Sequence, residues 1–560
     1  METFLIKRTQ IFGAGLALCL AHLPVMAADP PDAGAIYRLE REQLERLLQE
    51  QRLQKKPVQP EVAVPAAPAS GSASQVRNIP VKSFQVDDSA ILSKEEIRAA
   101  LAPYEGKTAS LADLMEAVAA INALYAGKSM PTARAFLPPQ DIKDGVVRIR
   151  LVEARVGEIR MGAMTQVTPE FVRERMSLDS GELMSVPVLE NDLIRFNRLH
   201  DVQLRAGVQA GKSVGTTDLQ LEAVEPKRYQ YSLFADNAGR YTVGEYRFGF
   251  TARALGLAGR GDSLLFTAVA GEGNNSYYLG YSTPINARDL KLDVSYSRGS
   301  IKVVNGNFVP LDVSGQSRDF TVGLSLPAVV ESQRLRNYYG RLSIKESVNE
   351  TGGVANQNLD LAVLSLGVSG EHQRDTSAWT YDVNINQGLQ DFGGEASYTA
   401  IRANGAWMGR SGERSQIILR GNLQFSPTEL LPAAEQFQLG GSASVRGYSE
   451  GLLSGRNGYL VSAEWRYALD RAEGSVPDDP SAPQFTTLLF LDHGGAFPYR
   501  PSPLKDATSQ DYLTGAGFGL QADWRNRMTA RAALAWPLRS NDSEVLRREP
   551  HVHASISINW

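Results

Sequence analysis

From Tyr229 to Trp560 the sequence alternates apolar and polar residues in runs of about ten, parted by Gly, Asn, Asp and Pro. In one run Tyr246, Phe248, Phe250, Ala252 and Ala254 point one way, and Glu245, Arg247, Gly249, Thr251 and Arg253 point the other. A strand of a soluble sandwich is usually five or six residues long and faces a dry core. These runs are nearly twice that length and place apolar residues toward one medium and charges toward another. That is the pattern of a membrane β-barrel with a wet lumen. It recurs in Leu264/Phe266/Ala268, Phe320/Val322/Leu324, Trp379/Tyr381/Val383, Tyr459/Val461/Ala463/Trp465 and Val552/Ala554/Ile556/Ile558. About sixteen such segments can be counted, an even number that lets one chain close an antiparallel barrel. Closure is required because an open sheet edge in lipid leaves N–H and C=O groups unpaired. The chain ends on an aromatic residue, Trp560, at the end of the last segment.

Composition agrees. Mean hydropathy is −0.24. Past the N-terminus no run of about eighteen apolar residues exists to form a transmembrane helix. The 58 basic and 62 acidic residues leave a net charge of −4, so no bulk basic field is available for nucleic acid.

Residues 1–27 read as a secretory signal peptide. Lys7 and Arg8 form the basic region, Ile11 to Leu20 the short apolar region, and Val25-Met26-Ala27-Ala28 a cleavage site after Ala27 or Ala28. The single cysteine, Cys19, sits inside this leader between Leu18 and Leu20, where lipoprotein processing would need small residues. The mature chain is therefore expected to lack cysteine, and with it any disulfide or Cys-based zinc site.

The segment 28–56 reads as a charged helix from about Ala35 to Lys56, built of strong helix formers with no Pro or Gly inside. Its length, about 30 Å, is close to one bilayer thickness. It is too charged to face lipid, but it could stand in a water-filled pore; a solvated or coiled-coil helix fits the residues as well. A Pro/Ala/Ser-rich linker follows at 57–75. Residues 76–154 form a small α/β unit. A strand runs through Val81, Phe84 and Val86. Ser93 with Glu96 caps a first helix that Gly106 ends, and Ser110 with Asp113 opens a second, lined by Leu111, Leu114, Val118, Ile121 and Tyr125. Strands around Thr132–Leu137 and Val146–Val152 complete it. Residues 155–225 repeat the β-α-α-β-β order, with a helix opened by Thr168-Pro169 and another lined by Val188, Leu193, Phe196 and Leu199. The barrel is expected over 226–560.

No catalytic set emerges. Ala206 to Ser213 (AGVQAGKS) misses the P-loop pattern at its first position and lies at a strand turn rather than before a helix. His551 and His553 share one lumenal face without a third ligand nearby, and polar lumen lining accounts for them. No G-x-S-x-G elbow occurs. The expectation is a non-enzyme without cofactor or metal.

Several motifs carry a family resemblance. Leu137-Pro138-Pro139-Gln140 precedes Gly145 and the Val147/Ile149/Leu151 strand. Asp236-Asn237-Ala238-Gly239 precedes Gly244. Phe437-Gln438-Leu439-Gly440-Gly441 is followed by Val445-Arg446-Gly447-Tyr448, and Phe490-Leu491-Asp492-His493-Gly494 comes later. In this order they resemble the two-partner-secretion outer-membrane transporters, the TpsB family of the POTRA-barrel superfamily, over nearly the whole mature chain. Leu489 departs from the Phe or Gly that the family often has before its Asp motif.

The resemblance implies a transmembrane barrel of about sixteen strands behind two POTRA (polypeptide-transport-associated) domains, with the N-terminal helix as a lumenal plug that leaves during transport. It also implies that the long loop 426–456, between about the eleventh and twelfth strands, folds into the lumen. Arg446 would pair there with Asp492, and Val445, Gly447, Tyr448 and Gly494 would complete a loop-to-barrel lock. Strand parity is compatible: with Phe485, Leu489 and Leu491 toward lipid, Asp492 faces the lumen. The implied activity is ATP-independent export of a large unfolded exoprotein, an adhesin, cytolysin or haem-acquisition protein, from a Gram-negative outer membrane. The other implied partners are membrane lipid and the barrel-assembly machinery. Cargo is expected to bind the first POTRA domain by β-augmentation, near Leu114, Val118 and Tyr125 on the second helix and Ala133 and Ala135 on the neighbouring strand. The same spacing also fits a core face, above all at Leu114 and Val118. A barrel-assembly factor and a passive porin are the competing readings. The first typically carries more POTRA repeats; the second would lack the periplasmic domains and the VRGY loop.

Overall fold

The computed structural model describes residues 31–63, 79–128, 130, 133–213, 215–469, 483–497, 512–524, 527–539 and 549–560. The expected leader, with Cys19, and most of the expected Pro-rich linker lie outside these residues.

Sixteen antiparallel strands, from Tyr229–Asp236 to His551–Asn559, form a closed barrel. Each strand pairs with its sequence neighbour, and the last returns to the first through Ser232↔Asn559 to Asp236↔Ser555. Trp560 seals the periplasmic end of that seam: Tyr231 N donates to its carbonyl at 3.1 Å, and Trp560 N donates to Tyr231 O at 3.0 Å. The period-2 pattern arises because each wall face meets its own medium. Phe248, Leu279, Phe320, Leu366, Trp407, Leu489 and Leu491 are exposed on the outside, as a lipid-facing belt must be. Their neighbours Arg247, Asp319, Arg420, Glu464 and Asp492 are buried on the lumenal side. The sixth to eighth strands, Val313–Val330, Arg334–Thr351 and Val354–Gln373, have 18, 18 and 20 residues, longer than the bilayer needs.

The helix Ala33–Gln54 stands inside this barrel. Asp32 caps it, accepting from Ala35 N at 2.7 Å, while Asn349 on the seventh strand donates to the other Asp32 oxygen at 2.6 Å. Arg41 faces Asp319, Glu40 accepts from Ser276 Oγ at 2.9 Å, and Leu53 packs with Ala378, Ala406, Met408 and Ile418. The start of the helix therefore lies near the extracellular hairpin at Thr351–Val354, and its end lies at the periplasmic mouth.

Two α/β domains precede the barrel. In the first, strand Ser83–Val86 pairs parallel with Val146–Val152, which pairs antiparallel with Arg134–Phe136. In the second, Arg155–Met161 pairs parallel with Thr216–Val224, which pairs antiparallel with Gln203–Ala210. The two sheets share one topology, as an internal repeat requires. Both capping boxes are formed, at Ser93/Glu96 and Ser110/Asp113. The first domain also has a small two-stranded ribbon, Ile79–Val81 with Lys107–Ala109, that no alternation in the sequence announces.

The second domain is seated on the first two periplasmic turns of the barrel. Arg175 donates through Nε to Asp289 Oδ1 at 2.7 Å and through a terminal nitrogen to Asn286 O at 2.8 Å, with its guanidinium 3.5 Å from the Phe171 ring centroid. His200 Nε2 lies 3.2 Å from the same Asp289 oxygen, and Thr168 N donates to Gly259 O at 2.8 Å. Burial pushes the His200 imidazole below its ordinary pKa, against the opposing pull of Asp289.

Candidate functional site: the lumenal lock

The loop between the eleventh strand, Ser415–Phe425, and the twelfth, Asn457–Ala468, turns inward instead of covering the outside. Its short ribbon Phe437–Leu439/Leu453–Gly455 carries an apolar patch. Phe437, Leu439, Val445 and Tyr448 pack with Leu460, Ala496 and Leu513 of the wall. This small dry core inside a wet lumen fixes the loop from 437 to 453.

At its centre the loop brings Arg446 and Asp492 together. Arg446 Nε donates to Asp492 Oδ2 at 2.7 Å, a terminal nitrogen donates to Oδ1 at 2.9 Å, and the Arg446 backbone N–H adds a 3.1 Å bond to Oδ2. The bidentate fork matches a carboxylate in both distance and plane. Ser462 Oγ donates to Asp492 Oδ1 at 2.7 Å, so the buried carboxylate is well satisfied. The remaining Arg446 nitrogen donates to Glu464 Oε2 at 2.5 Å, and the guanidinium lies 3.5 Å from the Phe490 ring centroid. Arg446, Glu464 and Asp492 are 3%, 1% and 0% exposed, so the charges are withdrawn from solvent as well as paired.

The residues around this pair let the loop approach the wall. Gly447 adopts φ 96°, a left-handed conformation that costs glycine nothing, and its N–H donates to His553 Nε2 at 3.3 Å. Tyr448 Oη lies 2.9 Å from Thr514 O and 2.8 Å from Arg539 O. Gly494 makes room for Leu439: a Cβ there would lie 2.8 Å from Leu439 Cδ1. Gly515 is tighter still, since a Cβ would sit 1.9 Å from the Arg446 carbonyl oxygen.

Glu464 extends the site. It accepts from Arg466 Nε at 2.6 Å and from Arg531 at 2.9 Å, while Arg466 also reaches Glu50 of the lumenal helix at 3.1 Å. Arg420 donates to the same Glu50 carboxylate. Loop, wall and helix thus share one ionic network. Sequence reasoning did not single out Glu464, Arg466, Arg531, Arg420 or Glu50. Parity in the twelfth strand did carry a signal: with Ala463 and Trp465 toward lipid, Glu464 and Arg466 must face the lumen. A second lumenal anchor, Glu435, accepts from Lys345 at 2.7 Å and Arg402 at 2.5 Å.

The cargo-contact expectation in the first periplasmic domain needs correction. Leu114, Val118, Tyr125, Ala133 and Ala135 are 0–6% exposed and turned into that domain's two apolar clusters. Apolar residues at helical spacing pack inward, so these side chains offer nothing to a partner. Met115 and Phe136 are exposed on the same helix and strand. The strand Arg134–Phe136 is a sheet edge, and Asn122 covers its free side by donating to Ala135 O at 3.2 Å and accepting from Ala135 N at 2.7 Å. Among the described residues no cluster of His, Cys, Asp and Glu forms a metal site.

A closed sixteen-strand barrel with an inward loop, a lumenal helix and two periplasmic α/β domains defines an outer-membrane transporter of the POTRA-barrel class. Residues 215–522 match the model of the haemolysin secretion/activation protein family ShlB/FhaC/HecB, and residues 79–154 match the ShlB-type POTRA domain. The chain belongs to that family, and it is a protein of the outer membrane with its POTRA domains in the periplasm. It is 24% identical to the heme/hemopexin transporter protein HuxB of Haemophilus influenzae, over 92% of this chain and 93% of that one. It is 22% identical to the outer membrane transporter CdiB of Dickeya dadantii, over 82% of each. The solved structure of CdiB from Escherichia coli superposes with a TM-score of 0.68 at 19% identity, covering 95% of this chain and all of that one.

Proposed function

We propose that this protein exports a large secreted polypeptide from the periplasm to the cell exterior as the transporter half of a two-partner system. The observation that carries this reading is the filled lumen. A helix and a loop, tied to each other and to the wall through Glu50, Arg466, Glu464 and Arg446, occupy the channel. A passive porin needs an open lumen and has no use for two periplasmic domains. The periplasm supplies no ATP, so transport is driven by the cargo, which arrives unfolded and folds outside. The POTRA domains receive an extended segment of it; the helix leaves the lumen, and the Arg446–Asp492 lock keeps the loop in the position that supports transit. The relative named a heme/hemopexin transporter supports looking first for a haem-acquisition cargo; an adhesin or a cytolysin fits the same machine.

The test compares the proteins released by strains with and without this chain, with outer-membrane barrel levels followed in parallel. Loss of one or a few large proteins from the medium is the expected result, and it names the cargo. Unchanged release with depleted barrels would replace export by barrel assembly. No change in either, in cells that express the protein, would return the porin reading.

A further inference from the structure

The lipid-facing wall carries charge at one place in its periplasmic half. Among the described strand residues that share the outward parity there, the charged ones are Arg334 and Arg336, at the start of the seventh strand. A charge on this face has to be matched by something in the membrane, because the wall's own acids point into the lumen.

The sheet around these arginines is shaped to leave them open. Arg336 pairs with Gly370 of the eighth strand, and Gly370 pairs with Tyr381 of the ninth, Ser377–Gly388. With no side chain at Gly370, the Tyr381 ring lies over it: a Cβ there would stand 2.5 Å from Tyr381 Cζ. Arg336 Nε donates across this gap to Tyr381 Oη at 3.2 Å. One row nearer the periplasm, Arg334, His372 and Trp379 stand side by side. Arg374, in the turn that follows His372, donates through Nε to His372 Nε2 at 3.3 Å, and the His372 ring centroid lies 5.8 Å from that of Trp379. That turn is fixed from within: Gln373 N donates to Gln333 O at 2.8 Å, Arg374 N donates to Ser377 O at 2.7 Å, and the Gln373 amide accepts from Arg198 at 2.9 Å on the lumenal side. The outward cluster is therefore preorganised.

Its cations exceed its carboxylates. Arg334 is paired with Glu331 at 2.7 Å. Asp375 shares the turn with Arg374, but among the described residues no ion pair joins them. No carboxylate faces Arg336; its neighbours are the hydroxyls of Tyr381 and Tyr338.

The aromatic residues set the depth. Trp379, Trp407 and Trp465 are exposed at the periplasmic ends of their strands, and such a belt marks the headgroup level of a bilayer. Tyr338 lies two residues, about 7 Å, further along the strand from Arg336. Leu342 and Leu366, both exposed, lie beyond it in the apolar belt. What this layer offers a guanidinium is phosphate, which arginine binds through paired N–H groups. Tyr381 Oη accepts from Arg336 and keeps its own proton to donate. The row above, Tyr338, Val368 and Val383, is an apolar path for an acyl chain.

We infer that Arg336, Arg374, Trp379 and Tyr381 form a headgroup site for an anionic phospholipid of the periplasmic leaflet. Arg336 and Tyr381 receive the phosphodiester, and Arg374, beside His372, balances the lipid's net charge. A zwitterionic lipid brings its own ammonium, which these arginines repel, so the site selects an anionic headgroup. The assignment does not depend on the export reading.

Native mass spectrometry of the purified full-length protein, titrated with phosphatidylglycerol or phosphatidylethanolamine, reads the site. The first phosphatidylglycerol should bind the parent at least about fivefold more tightly than phosphatidylethanolamine, as expected of one or two arginines at a membrane surface. Arg336→Gln with Arg374→Gln should abolish that preference. Arg298→Gln, on the outward face at the extracellular end of the fifth strand, should keep it. Equal binding of both lipids by the parent, an unchanged preference in the double variant, or the same loss in Arg298→Gln would each overturn the site. Excess inorganic phosphate should leave phosphatidylglycerol bound; its displacement would replace the lipid site by a simple anion site. Heat-modifiable migration checks the barrel of each variant. If the double variant does not fold, Arg374→Gln alone, a substitution outside the strands, should still weaken the preference, and no change there would overturn the site.

Discussion

The lumen holds two inserts, and they are built on opposite principles. The loop's central cation has all its partners on the wall: Arg446 pairs with Asp492 and Glu464, and nothing within the loop replaces them. Its apolar residues share a dry cluster with Leu460 and Leu513. The helix carries part of its own pairing, with Arg38 and Glu42 at 2.8 Å and Arg41 and Glu45 at 3.4 Å, each one turn apart. Leu47 and Leu48 face open lumen, 59% and 39% exposed, and its apolar contacts sit mainly near the two ends, at Ala33 and Ile36 and at Leu53. An insert that takes some of its ion partners with it loses less on leaving than one that abandons them all. Under the proposed export function, this contrast fits a loop that stays and a helix that goes.

The largest effect that could break this contrast is at Arg446. Arg446→Ala leaves Asp492 and Glu464 buried with fewer partners, and removing one member of a buried pair costs about 3–5 kcal/mol. The expected outcome is a loop that detaches from the wall and export reduced at least about tenfold, taking that cost only in part. Secreted cargo is measured against surface-exposed, heat-modifiable barrel. Normal export at normal abundance would remove the lock from the mechanism.

Gly515→Val tests the loop without touching a charge. Its Cβ would meet the Arg446 carbonyl at 1.9 Å, while valine itself suits a strand. The loop should become sensitive to external protease and export should drop severalfold, by less than in Arg446→Ala. A protected loop would mean that the wall strand gives way instead.

For the helix the expected sign is reversed. Glu50→Gln removes the carboxylate charge that Arg420 and Arg466 share. Single-channel recordings in planar bilayers should show more frequent open events, about two- to fivefold, with export retained, because a hydrogen bond to a charged group is worth about 1.5–3 kcal/mol and only part of it is lost. Loss of export with a quiet channel would show that the helix, like the loop, has to be held.

The sequence displayed these regions unevenly, for physical reasons. The wall strands were legible because lipid tolerates only apolar side chains: Phe248, Leu489 and Leu491 could face nowhere else, and their neighbours then had to face inward. Arg446 and Asp492 stood out only through their motifs. Glu464, Arg466, Arg531 and Glu50 obey the same parity but meet partners far away in sequence, and a polar lumenal face carries no code for which acid meets which base. In the first POTRA domain Leu114, Val118 and Tyr125 announced a core, and the pattern that reveals a core hides a binding edge, whose signal is unpaired backbone. The Val62–Ala63 strand, which pairs with Ala206 and Gly207 of the second domain, was hidden for another reason. It sits in a Pro/Ala/Ser-rich stretch and is extended only because the second domain offers an edge.

The seat of that second domain offers the smallest and most graded test, because its contacts mix the two principles. Arg175 and Asp289 are a buried ion pair like the loop's, but burial against Phe171 and Phe196 pushes the imidazole of His200 beside them below its ordinary pKa. Asp289 favours the imidazolium, while Arg175 and Lys291 oppose it. With the folded pKa below the unfolded value of about 6.5, the folded seat binds fewer protons than the unfolded chain. Its stability is full above pH 6.5 and falls as the pH drops below it, by at most about 1.4 kcal/mol per pH unit. Hydrogen exchange at the Asn286–Leu290 turn should therefore quicken between pH 6.5 and 5, after correction for intrinsic rates, while exchange around Glu435, whose ion partners are Lys345 and Arg402, stays constant. His200→Gln should flatten the first curve and leave the second alone. An equal acid response at both places would mean that the barrel opens as a whole, and the division between fixed and releasable parts would have to be drawn elsewhere.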